Sequence, residues 1–277
     1  MAAATLATPC PATSSPPQGR IWPSALHAEW TKLRTVRSTY WTLFSAAVVT
    51  IGISAIVCTV YVAQYSNISL KDRATFDPVA TSVAGGFLAQ LAIAVLGVLV
   101  ITNEYGTGMI RATFAAIPQR RTVLVAKAVV FAGITLVVGT TSAFVAFFVG
   151  QAILSAQGLG VGLGAPEALR TIFGTGLYLA VLGLLALGLG VIIRKTAGAI
   201  AAVFGLIFVL PGIAQLLPSS MSGIQKFLPS NAGDALLQSS KASGTSQLSP
   251  WVGFGVFCLY AIGTLVLAGA LLVRRDA

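Results

Sequence analysis

Six apolar runs of about 20 residues each restrict most strongly how this chain can fold. They lie at about 41–63, 84–102, 127–150, 171–193, 197–217 and 251–273. A helix of about 20 residues crosses the ~30 Å hydrocarbon core of a bilayer. Within that core every backbone polar group needs a partner inside the protein, which a helix supplies. The runs therefore predict an all-α, polytopic membrane protein with six transmembrane helices.

The composition limits the function classes that remain. Of the 277 residues, 56% are hydrophobic and 9% are charged, whereas an ordinary soluble domain has about 25% charged residues. The loops between the runs leave no room for a large soluble domain. The only histidine, His27, lies before the first run, so no Ser-His-Asp arrangement can be placed. We expect a chain that is not an enzyme and holds no cofactor or metal of its own.

The basic residues predict which side of the membrane each loop occupies, because Lys and Arg in short loops stay in the cytoplasm. With both termini cytoplasmic, the inner side holds twelve of the 17 basic residues and three acidic ones. The twelve are Arg20, Lys32, Arg34, Arg37, Arg111, Arg120, Arg121, Lys127, Arg194, Lys195, Arg274 and Arg275. This bias predicts a cell (plasma) membrane protein with cytoplasmic termini. It indicates contact with the lipid bilayer and its anionic lipids, and not with nucleic acid.

Two segments precede the first run. Residues 1–20 are rich in Ala, Pro, Ser and Thr, which predicts a disordered tail. In residues 21–38, apolar side chains recur at helical spacing and predict an amphipathic helix on the inner leaflet. They are Trp22, Leu26, Trp30 and Leu33. A cytoplasmic extension of the first span is the alternative.

The segment between the second and third runs, residues 103–126, contains "NEYGTGMIRATFAAIPQRR". Thr107 or Gly108 can open a short helix there and Pro118 can end it. One face of that helix is mainly apolar, and Arg111 lies on the other side. The face consists of Met109, Ile110, Thr113, Phe114 and Ile117. It either folds back on the ends of the neighbouring spans or inserts into a groove on another protein.

This segment resembles the first cytoplasmic loop of the ABC-2 family of ATP-binding-cassette transporter permeases. The family pattern is E-Y-[ST]-x-G-x-[IT]-R-x-[TS]-x(4)-P-x-R. The matching residues are Glu104, Tyr105, Gly108, Ile110, Arg111, Thr113, Pro118 and Arg120, while Gly106 stands where the family more often has Ser or Thr. The resemblance extends over about 250 residues through "HAEWTKLRT", the Arg194–Lys195 pair, "LPSNAG" and the closing "RRDA".

The resemblance implies that residues 39–277 form the transmembrane subunit of an ABC transporter, usually an exporter. Such a subunit pairs with a second permease, identical or different, and docks a cytosolic ABC ATPase that holds ATP and Mg. The coupling helix, from Gly108 to Ala116 with Met109, Phe114 and Arg120, would make the docking contact. Residues 21–38, with Glu29 and Lys32, would be the connecting helix. Glu104 and Arg111 would fix the loop through charge-assisted hydrogen bonds.

The segments that are predicted to lie near the outer side of the membrane also resemble the same family. Pro211 and Gly212 are expected to interrupt the fifth span. The following residues 218–249 contain further prolines, which predicts short outer helices that re-enter the edge of the bilayer.

Two other function classes remain open. A membrane sensor or assembly protein would use the same loop to bind a partner without moving a substrate. A carrier that works without an ATPase would carry internal repeats and a coupling residue inside the membrane. Neither of these carrier features is evident in the sequence.

Overall fold

The structure is a computed structural model, and it describes residues 21–69, 73, 75–117, 119–216, 222–238 and 248–274. The predicted tail 1–20 and Pro118 of the coupling segment lie outside these residues. Every regular element in the described part is helical, and six helices are long and apolar enough to cross a membrane. The predicted all-α, six-span class is confirmed.

The helices follow one another in a simple up-and-down order. A short helix, α1 (Ile21–Thr35), leads into the first span, α2 (Arg37–Gln64). The remaining elements, in order, are α3 (Pro78–Ser82), α4 (Gly86–Gly106), α5 (Met109–Ala116), α6 (Arg120–Ser155), α7 (Ala168–Ile193), α8 (Thr196–Phe204), a π-helical segment (Gly205–Val209), α9 (Leu210–Ala214), α10 (Ser222–Gln225), α11 (Pro229–Asp234) and α12 (Pro250–Arg274).

The two ends of this bundle differ in charge. One end, called the basic end below, holds α1, α5 and the turn between α7 and α8. Ten of the thirteen basic residues that the structure describes lie there. The far end holds α3, α10 and α11, and its described basic residues are Arg73, Arg170 and Lys226.

Helix α7 is the centre of the bundle and packs against α4, α6 and α12. In the most apolar 18-residue stretch of α7, 72% of the residues are buried. The corresponding share is 28% in the first span and 22% in the fifth and sixth spans. Gly97 of α4 and Gly183 of α7 let two helices cross closely, because a Cβ on Gly97 would lie 2.6 Å from the Gly183 carbonyl oxygen. The three weakly buried spans present their apolar side chains to the outside of the bundle.

Several helices extend beyond the apolar runs that predicted them. Helix α4 continues to Gly106 and therefore includes Glu104, and α6 begins at Arg120, about two turns before Lys127. The non-helical connections on either side of α5 are correspondingly short. Hydropathy marks only the part of a helix that meets hydrocarbon, whereas the backbone hydrogen bonds continue past it. At the other boundary, α1 ends at Thr35 and an extended Val36 separates it from α2.

The expected interruption of the fifth span at Pro211 and Gly212 is wrong in position and in kind. Both residues lie in α9, which continues the span. The irregularity comes earlier, where the helix widens to π geometry at Gly205–Val209 and the Leu210 N–H donates to the Gly205 carbonyl. Pro211 has no N–H and its ring crowds the carbonyl four residues before it, so widening the preceding turn accommodates the proline. The helix changes its hydrogen bonding without ending.

Candidate functional site

The short helix α5 at the basic end begins after an unusual backbone turn. Gly108 precedes α5 with a φ of 71°, in the left-handed region that glycine adopts at the least cost. Helix α5 runs over Met109–Ala116, and the chain is extended again at Ile117. The two changes of direction leave α5 as a separate helix between α4 and α6.

One face of α5 is covered by the same chain and the other is open. Ile110 is 4% exposed and belongs to the main hydrophobic core, where Phe114 packs beside it, whereas Met109 is 47% exposed. The open face contains Met109, Arg111, Ala112, Ala115 and Ala116. Two possibilities were open for the apolar face, and Ile110 and Phe114 follow the first, since they pack against the bundle. The outward surface of α5 consists of alanines together with Met109 and Arg111.

Beneath α5, two glutamates and two lysines form a closed ring of alternating charge. Lys127 Nζ lies 2.6 Å from Glu29 Oε2 and 2.8 Å from Glu104 Oε1. Lys32 Nζ lies 2.7 Å from Glu29 Oε1 and 3.1 Å from Glu104 Oε1. Lys32 also donates to Thr113 Oγ1 at 3.3 Å. We call Glu29, Lys32, Glu104 and Lys127 the charge ring.

The charge ring connects four helices at one point. Its members come from α1, from the last turn of α4 and from α6, and Thr113 adds α5. Glu29, Glu104 and Lys127 are all buried. Charges in such surroundings are tolerated when each is paired and hydrogen-bonded, and removing one partner leaves an uncompensated buried charge. The ring therefore joins the ends of four helices through paired, hydrogen-bonded charges.

Lys32 shows the balance of forces in the ring. Burial opposes its charged form, but hydrogen bonding to Glu29 and the charges of Glu104 and Glu29 act in the opposite direction. The net result is a pKa of Lys32 above its ordinary value. The ammonium group of Lys32 thus stays protonated at any physiological pH, and it lies between the carboxyl groups of Glu29 and Glu104.

Two arginines, Arg120 and Arg194, contact the segment that contains α5. The Arg120 guanidinium lies over the Phe114 ring, 5.4 Å from its centroid, and donates to the Leu272 carbonyl at 3.0 Å. Arg194, in the turn after α7, lies 5.2 Å from the centroid of the Tyr105 ring. These contacts tie the two ends of the α5 segment to α12 and α7.

The buried face of α1 shares Leu33 with the face that the aromatic spacing predicts, but it excludes both tryptophans. Ala25, Glu29 and Leu33 are buried, and α1 packs against α6. Leu26 is half-buried, while Trp22 and Trp30 remain about half exposed. The tryptophans are thus free to meet a lipid surface or a partner, and the buried anchor is Glu29.

A small cavity separates α1 from α5. Its volume is about 240 Å³, and four of its nine lining residues are alanines, with Glu29 and Lys32 also on the wall. The lining residues include Ala25, Ala28, Ala112, Thr113, Ala116 and Ile117. The Lys32–Thr113 hydrogen bond crosses beside this cavity, so the two surface helices are joined by the ring and not by tight packing.

Of the two residues expected to fix the loop through charge-assisted hydrogen bonds, Glu104 makes such bonds and Arg111 does not, so the expectation for Arg111 is wrong. Glu104 pairs with Lys32 and Lys127, whereas Arg111 is exposed, with no side-chain partner in the described part of the chain. Spacing along a motif does not reveal which side of a short helix faces the bundle.

Lys127 completes the ring. It was not identified as a site residue from the sequence and was included only among the basic residues of the cytoplasmic side. A lone lysine within the apolar sequence "VLVAKAVVF" is the signal that identifies it, because such a charge needs a buried partner. Its partner could not be identified in the same way, since Glu29 and Glu104 both lie far from it in the chain.

The described residues offer no metal centre, since no three His, Cys, Asp or Glu side chains come together among them. The described part of the chain is thus a six-span membrane protein in which the short helix α5 is held against the basic end of the bundle. A family model described as "ABC-2 family transporter protein" matches residues 25–212. No curated protein matches the chain. Because the family match covers more than half of the chain, the protein belongs to the ABC-2 family and is an ABC transporter membrane protein, a permease.

Proposed function

We propose that this permease couples ATP hydrolysis by a separate cytosolic ATPase to the export of its substrate. The basic end would face the cytoplasm of a cell whose plasma membrane holds the protein, with both termini inside. The excess of Lys and Arg at that end supports this orientation. ATP and Mg would be bound by the ATPase subunit, and no nucleotide by this chain.

The charge ring is the observation that carries this proposal. A coupling helix transmits force only if it moves together with the spans behind it. The ring joins α5 through Thr113 to α1, α4 and α6. When an ATPase dimer closes on ATP, a helix seated in its groove would be displaced as a rigid body, and the displacement would reach two spans directly. Glu104, Glu29, Lys32 and Thr113 would serve this transmission.

The open face of α5 would be the part that enters the ATPase. This face is short and consists mainly of small alanine side chains. It carries one large apolar side chain, Met109, and one cation, Arg111. A helix seated in a groove of another protein contacts it through side chains on one face. Gly108, Ile110 and Phe114 would then hold α5 in position, and Arg120 would support it from the side.

The weakly buried spans would accommodate a second permease subunit and lipid. The first, fifth and sixth spans leave most of their apolar surface uncovered in the single chain. Pairing of two permeases, identical or different, would cover part of it. Residues 218–249 would form the outer cap of the pathway, of which the described part contains α10 and α11.

Copurification from the native membrane tests the docking surface. Ala115→Arg places a long cation on the open face of α5, and Ala197→Arg makes the same change at an exposed position in α8 at the same end. We expect a Walker-motif ATPase to copurify with the unaltered chain and with Ala197→Arg, and to be lost with Ala115→Arg. The proposal fails if Ala115→Arg retains the ATPase, or if the unaltered chain brings down none.

A further inference from the structure

A second polar site lies at the far end, away from the charge ring. A cavity of about 150 Å³ opens between the start of α4, the far-end half of α7 and α11. Most of its wall is apolar, including Val83, Phe87 and Leu237. Its polar lining residues are Gln90, Thr175, Tyr178, Asp234 and Gln238.

Asp234 is the charged group of this cavity, and it is left without a partner. No ion pair or side-chain hydrogen bond joins its carboxylate to another described residue. Arg170 lies at the same end, but its guanidinium donates to the Gln238 carbonyl and faces Glu167 at 3.6 Å. Burial therefore raises the pKa of Asp234 to about 6.

The hydroxyl groups around Asp234 are already engaged with other acceptors. Tyr178 donates its hydroxyl proton to Gln90 Oε1 at 2.6 Å, and Thr175 donates to the Thr171 carbonyl at 2.8 Å. Neither proton is free to neutralise Asp234. A carboxylate in such a position would be stabilised by a positive charge, which the surrounding side chains do not supply.

The position of Asp234 is built into the packing of α11. A Cβ on Gly233 would lie 2.5 Å from Tyr178 Cε2, and one on Gly253 would lie 2.5 Å from the Ala232 carbonyl oxygen. Tyr178 in turn stacks on Phe257, with 5.2 Å between ring centroids. Helix α11 is thereby pressed onto α7 and α12, so the carboxylate is presented by a fixed element.

The cavity is also next to the irregular part of the fifth span. Phe87, on its wall, makes an edge-to-face contact with Phe208, with 5.8 Å between centroids. Phe208 belongs to the π-helical segment, and α11 packs against that same segment. Widened turns of this kind occur frequently at functional sites.

We propose that this cavity is a binding site for an organic cation, an ammonium group with small apolar substituents, and that it forms an outer subsite on the transport path. The carboxylate of Asp234 supplies the counter-charge, and the apolar and aromatic wall fits the substituents. The site rests on the proposed function in one respect, its place on the path. Its ability to bind a cation does not depend on the ATPase.

The test uses the full chain in lipid nanodiscs and radiolabelled tetraethylammonium as the probe. Asp234→Asn removes the charge at nearly constant shape, and Glu167→Gln removes a paired charge at the same end. We expect Asp234→Asn to weaken probe binding about tenfold or more, while Glu167→Gln leaves it unchanged. Binding should also weaken as the pH falls from 7.5 to 5, because Asp234 becomes protonated.

Three results would overturn the site. They are probe binding that survives Asp234→Asn, equal weakening by Glu167→Gln, and displacement of the probe by sodium chloride as effective as by tetramethylammonium chloride. Equal displacement by sodium chloride would mean that Asp234 attracts any small cation and does not recognise an organic one. Gel filtration of Asp234→Asn shows whether the variant is folded, and we expect it to be, since the substitution removes an unpaired, partly buried charge.

The two proposals fail in different ways. If the probe binds through Asp234 but the assembled complex hydrolyses ATP at the same rate with and without it, the cation site stands and its place on the transport path is wrong. If Ala115→Arg abolishes ATPase association while the probe does not bind, the permease proposal stands and the cation site is wrong.

Discussion

The two ends of the bundle treat buried charge in opposite ways. At the basic end, Glu29, Lys32, Glu104 and Lys127 balance one another within hydrogen-bonding distance. At the far end, Asp234 is partly buried and has no partner among the described residues. Both arrangements place carboxylates beside an apolar core, yet only one of them is complete within the chain.

This difference teaches how each end can be used. A closed set of charges holds helices in one relative position, because any movement that separates the partners exposes a buried charge. A lone carboxylate holds nothing, but it can bind a cation or a proton that enters later. We therefore propose that the basic end transmits force and that the far end binds the cation.

The largest expected effect comes from opening the charge ring. Glu104→Gln leaves two lysines facing one glutamate, and Lys127→Gln leaves two glutamates facing one lysine. Each single change should lower the free energy of unfolding by about 3–5 kcal/mol. The double variant restores a neutral ring and should cost clearly less than the sum. Thermal unfolding of the chain in nanodiscs measures all three, and strictly additive losses would contradict a coupled ring.

A smaller effect of opposite sign is expected at Asp234. Its pKa is about 6 in the fold against 3.8 for the ordinary group, so the folded state holds the proton more tightly than the unfolded state. Stability from this group is full below pH 4 and is lost as the pH rises through 6. Asp234→Asn should thus be more stable than the unaltered chain by about 1–3 kcal/mol at pH 7.5. No difference should remain near pH 4.

The control for this prediction is the probe itself. Tetraethylammonium should stabilise the unaltered chain at pH 7.5 and leave Asp234→Asn unaffected, because a ligand stabilises the state that binds it. A melting temperature of Asp234→Asn that equals that of the unaltered chain at every pH would show that the carboxylate is already compensated.

The smallest expected effect is at Arg111, which the charge ring does not use. Because its side chain is exposed, Arg111→Ala should change the free energy of unfolding by less than about 0.5 kcal/mol. The same variant should weaken association with the ATPase, since Arg111 lies on the open face of α5. Arg121, an exposed arginine at the same end, is the matched control, and Arg121→Ala should affect neither quantity. A large loss of stability in Arg111→Ala would mean that this residue does fix the loop.

Much of the fold and part of the candidate site can be predicted from local sequence. The motif around Glu104 and Gly108 correctly marks a short helix between two spans, since the glycine and the apolar spacing are local signals. The face of α5 that turns inward, the burial of Glu29 and the partner of Glu104 could not be predicted. Each depends on where a distant helix lies, and residues 29, 104 and 127 meet only after α1, α4 and α6 have packed.

The sequence by itself determined that this chain is all-α and crosses a membrane six times, because apolar runs of this length have only one way to satisfy their backbone in lipid. It also determined the family, through a loop pattern and a matching order of spans. Only the tertiary structure decided which charges are paired and which is left open. Pairing depends on distances of about 3 Å between residues far apart in the chain, and hydropathy, which averages over neighbours, contains no information about them.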